Sequence, residues 1–183
     1  MKFGVLQIVK DHLATLKDDR TGASSIIDLF ILFVFPAIIS VFVYRVATGV
    51  VETPVSEFVS AVSVFSAILV SSQFAIHAML SRPLPEEHDD IQKEIFLKER
   101  ESEIVILGEI HSTISYLIGF GVFSLFVALS FSVVSLCPHV EVAVLTWFTL
   151  HFVLTTLIVV KRIHLLLSRS YKRALDELLK AKE

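Results

Sequence analysis

Cysteine and catalytic motifs are scarce in this sequence. Cys137 is the single cysteine, so no disulfide can form within the chain. The chain also lacks HExxH, GxSxG, paired-cysteine metal sites, phosphate-binding glycine loops and the histidine boxes of membrane hydroxylases. No basic patch with interleaved aromatic residues indicates nucleic-acid binding. We therefore predict a protein that is not an enzyme and has no cofactor, no metal and no nucleic-acid partner.

Charge is missing from four long segments. They cover residues of about 26–44, 58–80, 114–136 and 142–160, and Asp28 is the only Asp, Glu, Lys or Arg within them. Each is long enough to cross a hydrocarbon core of about 30 Å. Hydrophobic residues make up 54% of the chain, and runs such as 29–35 have no polar stripe that would suit a soluble bundle. The sequence predicts an all-α integral membrane protein with four transmembrane helices.

The basic residues predict the orientation. All Lys and Arg except Arg45 lie before the first span, between the second and third spans, or after the fourth. The short connections 46–57 and 137–141 contain neither residue type. The positive-inside rule then places both termini in the cytosol of a multi-pass protein in the inner (plasma) membrane. The first 24 residues have no apolar segment followed by a cleavage site, so no cleavable signal peptide is expected.

Five units follow from this pattern. Residues 1–24 form an amphipathic cytosolic segment, and residues 25–81 form the first transmembrane hairpin. Residues 82–111 are a charged helical linker that we expect to run into the third span, with a bend at Gly108. Residues 112–160 form the second hairpin, and 161–183 a basic amphipathic tail helix that continues the fourth span. Pro36 is expected to kink the first span.

Several polar residues within or next to the spans are candidates for function. His151 lies at the midpoint of the fourth span with Thr155 one turn later, and an ionisable group at that depth suggests a functional site. A neutral imidazole bonded to a hydroxyl or a backbone carbonyl would be tolerated without function. Gln73 and His77 lie one turn apart near the inner end of the second span. Two arrangements are open for His77 and the inner-interface histidines His111 and His164. Either the three meet in a metal or titrating site, or each lies separately at the interface, which we favour.

Small residues recur at packing intervals in the second and third spans. In the third span they include Gly121, Ser124 and Ala128, and this spacing allows helices to approach closely in lipid. The alternative is that a hydroxyl stripe lines a pore formed by several copies of the chain.

The cytosolic helices offer surfaces for a soluble partner. The candidates for partner docking are Leu167, Tyr171 and Leu178 in the tail, and Ile91 and Ile95 in the linker. The basic face of the tail also suits a helix anchored by anionic lipid, and the two interpretations stay open.

In layout the chain resembles the small four-span membrane subunits of bacterial anti-phage systems, of which the Kiwa membrane component is an example. The resemblance covers four spans, inner termini and a charged inner loop, and it includes no motif that places a functional residue. It implies sensing of phage at the inner membrane, coupled to a cytosolic effector. We predict a homo-oligomeric, non-enzymatic sensor or adaptor that contacts the lipid bilayer and a cytosolic protein. The alternative is an oligomeric ion channel or membrane-disrupting effector.

Overall fold

The structure is a computed structural model that describes residues 4–16, 26–47, 54–81, 90–134 and 137–180. Within its helices some side chains are not described, among them Ile91, Ile95 and Leu178. The regular elements are α1 (Val5–Ala14), α2 (Ile26–Leu29), a π-helical turn (Phe30–Val34), α3 (Phe35–Val46), α4 (Val55–Leu80), α5 (Asp90–Val133) and α6 (Pro138–Lys180). Over the part of the chain described here, every regular element is helical.

Four helical segments are long and apolar enough to cross a membrane, which confirms that part of the prediction. They are Ile26–Val46, Val55–Leu80, Arg100–Val133 and Pro138–Arg169. The first combines α2, the π-helical turn and α3, and we call it span 1. The apolar windows of these segments are only 11% to 39% buried, so most of their side chains are left for lipid or for another protein. The side of the membrane on which the termini lie stays a prediction.

Helices α5 and α6 are far longer than a bilayer requires. They contain 44 and 43 residues, so each measures about 65 Å at a rise of about 1.5 Å per residue. A hydrocarbon core of about 30 Å accounts for less than half of that length. Helix α5 continues through Gly108 without interruption. Each of these two helices therefore contains an apolar segment and a charged segment with no break between them.

The spans pack in the order span 1, α6, α5 and α4. Helix α3 contacts α6, α6 contacts α5, and α5 contacts α4, while α1 packs against α5. Two clusters of buried apolar residues hold α4, α5 and α6 together. The larger comprises Leu69, Ile76, Leu107, Ile110, Ile114, Leu117, Phe152, Val159 and Leu166, and the smaller comprises Phe58, Val62, Ala128, Leu145 and Phe148.

One end of the bundle collects charged side chains from several elements. Arg162 of α6 pairs with Glu109 of α5, with Nε to Oε2 at 3.4 Å. Arg169 of α6 donates from Nη1 to the hydroxyl of Ser102 at 2.8 Å. Arg100 of α5 donates from Nη2 to the carbonyl of Met79, in the last turn of α4, at 3.2 Å. We call this the basic end of the bundle.

Span 1 contains a wide turn next to a proline. The backbone N–H of Phe35 donates to the carbonyl of Phe30, five residues earlier, as in a π-helix. Pro36 follows directly and has no N–H, so it cannot donate to the carbonyl of Leu32 four residues before it. The proline expected to kink this span therefore coincides with a local widening, and the carbonyl of Leu32 lacks its usual helical donor.

Candidate functional site: a buried histidine–tyrosine core and a charged cavity

The carbonyl freed by Pro36 is bound by His151. His151 Nδ1 lies 2.8 Å from the oxygen of Leu32, and Nε2 lies 2.8 Å from the hydroxyl of Tyr116. A carbonyl oxygen only accepts, so Nδ1–H must donate to Leu32. In the neutral imidazole Nε2 is then the acceptor, and the Tyr116 O–H donates to it. Both ring nitrogens are satisfied, although His151 has 0% of its surface exposed.

Aromatic rings surround this imidazole. The indole of Trp147 stacks near His151 with ring centroids 5.5 Å apart and an interplanar angle of 12°. The rings of Phe120 and Phe33 lie 4.6 Å and 4.8 Å from it between centroids. Since these rings offer no strong hydrogen-bond acceptor, Leu32 and Tyr116 fix the orientation of the imidazole.

A second histidine completes the core. The ring of His12, on α1, stacks on Tyr116 with centroids 4.1 Å apart and an interplanar angle of 9°. His12 is also 0% exposed, yet neither of its ring nitrogens has a hydrogen-bond partner among the described residues. Burial, followed by the positive charges that His151 and Arg162 can carry, lowers the pKa of His12 from 6.5 to about 4. His12 is therefore neutral at physiological pH.

Arg162 holds the end of α1 against the two long helices. Its Nη2 donates to the carbonyl of Thr15, directly after α1, at 2.6 Å. Its Nη1 donates to the buried hydroxyl of Thr113 at 3.1 Å, and Glu109 pairs with its Nε. A cation at a helix C-terminus also complements the helix dipole. One guanidinium thus joins α1, α5 and α6 next to the histidine–tyrosine core.

A cavity of about 630 Å³ opens at the basic end beside this arginine. Its walls come from the end of α1, the start of span 1, α5 and α6, and they mix charged with apolar side chains. The lining residues are Thr15, Leu16, Asp28, Lys98, Glu101, Ser102, Val105, Ile106, Glu109, Ile158, Lys161, Arg162, Leu165 and Arg169. We call this space the charged cavity.

The predicted intramembrane residues fall into two places. Thr155 is fully buried, and its hydroxyl donates to the backbone carbonyl of His151 at 2.8 Å rather than to the imidazole. Gln73 donates from Nε2 to the hydroxyl of Ser115 at 2.8 Å, which links α4 to α5 away from His151. His77 is exposed on α4.

The interfacial histidines are not gathered into a ligand set. His111 and His164 are exposed on α5 and α6, as His77 is on α4. Among the residues whose placement is described, no group of three His, Cys, Asp or Glu side chains could hold a metal ion.

The predicted docking residues of the tail are exposed where they are described. Leu167 and Tyr171 are 44% and 74% exposed, and Leu175 and Leu179 continue the same stripe at 57% and 54%. The side chains of Leu178, Ile91 and Ile95 lie outside the described residues.

Three residues of the core did not stand out in the sequence. His12 carried a usable signal, because it shares a helical face with Val9 and Leu16, and that face is turned inward. Leu6, at the start of the same helix, is 76% exposed and is not part of that face. Tyr116 is a phenol within an apolar run, and nothing else in the sequence marks it as part of a core. Arg162 was interpreted only as a marker of orientation.

Comparison of the chain with protein families, with curated proteins and with solved structures finds no match. The site must therefore be interpreted from its own geometry.

Proposed function

We propose that this chain is a homo-oligomeric, non-enzymatic membrane adaptor that couples a change in the bilayer to a soluble protein in the cytosol. The observation that carries the proposal is the apolar stripe Leu167, Tyr171, Leu175 and Leu179 on α6. Leu167 lies near the end of the candidate span Pro138–Arg169, and the other three residues lie past it. Large apolar side chains in series, exposed on a helix that extends past its candidate span, are typical of a protein-binding surface.

The coupling element in this proposal is α6 itself. It carries His151 within the span, Arg162 at the basic end and the apolar stripe beyond it, on one uninterrupted helix. A shift of span 1 or α1 acts on His151 through Leu32 and on Arg162 through Thr15. Because α6 moves as one rigid helix in this proposal, any such shift reaches the apolar stripe that a partner would bind.

The experiment is affinity capture of the tagged protein in native lipid particles from its own host. We expect a soluble protein to co-elute in a fixed ratio with an oligomer of this chain. The double variant Tyr171→Ala/Leu175→Ala should lose that protein while still inserting and assembling. Lys172→Ala changes an exposed residue between the two and serves as the matched control. Unchanged capture by the double variant would reject the apolar stripe as the binding surface.

The resemblance in layout extends the proposal to anti-phage defence. Host cells that express the chain with its captured partner should then plate phage less efficiently than cells that express the Tyr171→Ala/Leu175→Ala variant. Equal plating over a broad phage panel would remove the defence role and leave the adaptor role intact.

The geometry favours the adaptor over a channel. A channel that uses His151 needs this side chain to face an axis shared between copies. His151 instead lies within one copy, enclosed by span 1, α5 and α6.

A further inference from the structure

We propose that the charged cavity binds the phosphodiester headgroup of a membrane phospholipid. The proposal goes beyond the adaptor function, because lipid binding here requires no soluble partner. It rests on the position of the cavity along the spans and on the chemistry of its walls.

The cavity lies where apolar helix surface changes to charged surface. On α6 the apolar run ends at Lys161, and the segment from Glu141 to Lys161 covers about 30 Å, the thickness of a hydrocarbon core. On α5 the last charged residue before the apolar run is Glu109, and on span 1 the charged residue at this end is Asp28. All three residues line the cavity. Its depth is therefore that of phospholipid headgroups.

The walls suit a molecule with a charged head and an apolar tail. Four cations line the cavity: Lys98, Lys161, Arg162 and Arg169. Apolar side chains from three elements line it too: Leu16, Val105, Ile106, Ile158 and Leu165. Basic pockets between spans near one face of a membrane are suited to phospholipid headgroups. The volume of about 630 Å³ also lies within the range of small-molecule sites.

Glu109 and Ser102 orient two of the cations, and the lining keeps an excess of one positive charge. Glu109 pairs with Arg162 and fixes its guanidinium beside the cavity. The hydroxyl of Ser102 accepts from Arg169 in the same way. The remaining acids, Asp28 and Glu101, leave the lining with one more cation than anion. A single phosphodiester charge would balance that excess, which favours an anionic phospholipid such as phosphatidylglycerol.

A soluble phosphate has the same charge chemistry, but the apolar walls distinguish the two ligands. Inorganic phosphate would leave Val105, Ile158 and Leu165 uncovered, whereas the glycerol and first methylenes of a lipid would cover them. Burial of that apolar surface is favourable, so the lipid should bind more tightly.

The test measures binding to delipidated protein in a neutral detergent. The probes are a short-chain phosphatidylglycerol, a diacylglycerol with the same chains, and inorganic phosphate. We expect phosphatidylglycerol to bind at least tenfold more tightly than either of the others. Lys161→Ala and Arg169→Ala should each weaken that binding about tenfold. Lys172→Ala removes one exposed cation that does not line the cavity, and it should change the affinity less than twofold.

Each opposite outcome overturns the proposal. Equal weakening by Lys172→Ala would mean that the lipid is attracted to the basic surface in general. Equal binding of inorganic phosphate would indicate a site for a soluble anion, and equal binding of diacylglycerol an acyl-chain site. Lys161→Met keeps the apolar stem and removes the charge, so it replaces Lys161→Ala if that variant does not assemble. Capture of a soluble partner is scored separately, so neither result decides the other.

Discussion

At the scale of single residues, the two buried histidines differ in how their ring nitrogens are satisfied. His151 has a partner on each side, so its tautomer and orientation are fixed. His12 contributes a flat ring that covers Tyr116 and has no hydrogen bond to a described residue. A buried polar atom without a partner costs about 1–3 kcal/mol. Stacking, the burial of Leu16 and the Arg162 bond to Thr15 together offset that cost in the docking of α1.

The docking of α1 should depend on pH through His12. The pKa of His12 is about 4 when α1 is docked, compared with 6.5 for an ordinary histidine. Between pH 4 and 6.5 the undocked state therefore binds more protons than the docked state. Docking is then strongest above pH 6.5 and weakens as the pH falls towards 4, by up to about tenfold per pH unit. A nitroxide on Leu6→Cys, in a Cys137→Ser background, should become more mobile over that range.

The control for this pH effect is His12→Phe. It keeps a ring that can stack on Tyr116 and removes the titrating group, so mobility should no longer change between pH 6.5 and 4. Persistence of the change in His12→Phe would assign it to a group other than His12.

Two glycines of α5 should respond in opposite ways to alanine. A Cβ at Gly121 would lie 3.0 Å from the Ser66 hydroxyl and 3.4 Å from Val62 Cγ1, whereas a Cβ at Gly108 would meet nothing within 4 Å. We expect Gly121→Ala to destabilise the bundle by about 1–3 kcal/mol through overpacking. Gly108→Ala should leave stability unchanged or raise it by up to about 1 kcal/mol. Thermal unfolding in one detergent compares them, and equal stabilities would contradict the close α4–α5 contact.

At the scale of elements, Pro36 links a local irregularity to the buried core. Pro36→Ala supplies the missing N–H, which competes with His151 for the Leu32 carbonyl. The π-helical turn should then become regular, and His151 should lose its fixed orientation. Trp147 is the only tryptophan and stacks on His151, so its fluorescence emission should shift in this variant. The exposed Pro54, at the start of α4, provides the control Pro54→Ala. An unshifted emission would show that His151 is oriented without the freed carbonyl.

The four long helices were predictable because each is a local pattern of apolar residues. The contacts between them were not, since His151 and Leu32 are 119 residues apart in sequence and no periodicity relates them. Pro36 shows the difference most clearly. The sequence predicts that a proline disturbs span 1, but it does not say which donor binds the carbonyl that the proline leaves free. Likewise the sequence singled out His151 by its depth and allowed a hydroxyl or a backbone carbonyl as its partner, but it did not identify Tyr116 and Leu32 as those partners.

At the scale of the whole molecule, the spans form a row more than a closed bundle. Span 1 packs on α6, whereas α4 packs mainly on α5 and has a smaller contact with α6, so span 1 and α4 lie towards opposite edges. Large side chains remain exposed on both, for example Phe42 at 64% and Phe74 at 72%. An edge of this kind can face lipid or a second copy, and the proposed homo-oligomer would cover part of it. The mass of the protein in native lipid particles distinguishes a single copy, whose edges face lipid, from an oligomer.

The predicted orientation can be tested with one thiol on each side of the membrane. Cys137 is exposed between α5 and α6, at the end of the bundle opposite the basic end. With both termini in the cytosol, a membrane-impermeant maleimide should label Cys137 from outside once the outer barrier is opened. Lys172→Cys in a Cys137→Ser background should react only after the inner membrane is permeabilised. The reverse pattern would invert the topology and move the apolar stripe of α6 away from any cytosolic partner. Labelling of both thiols from the same side would mean that α6 does not cross the membrane, because these two positions flank that helix's candidate span.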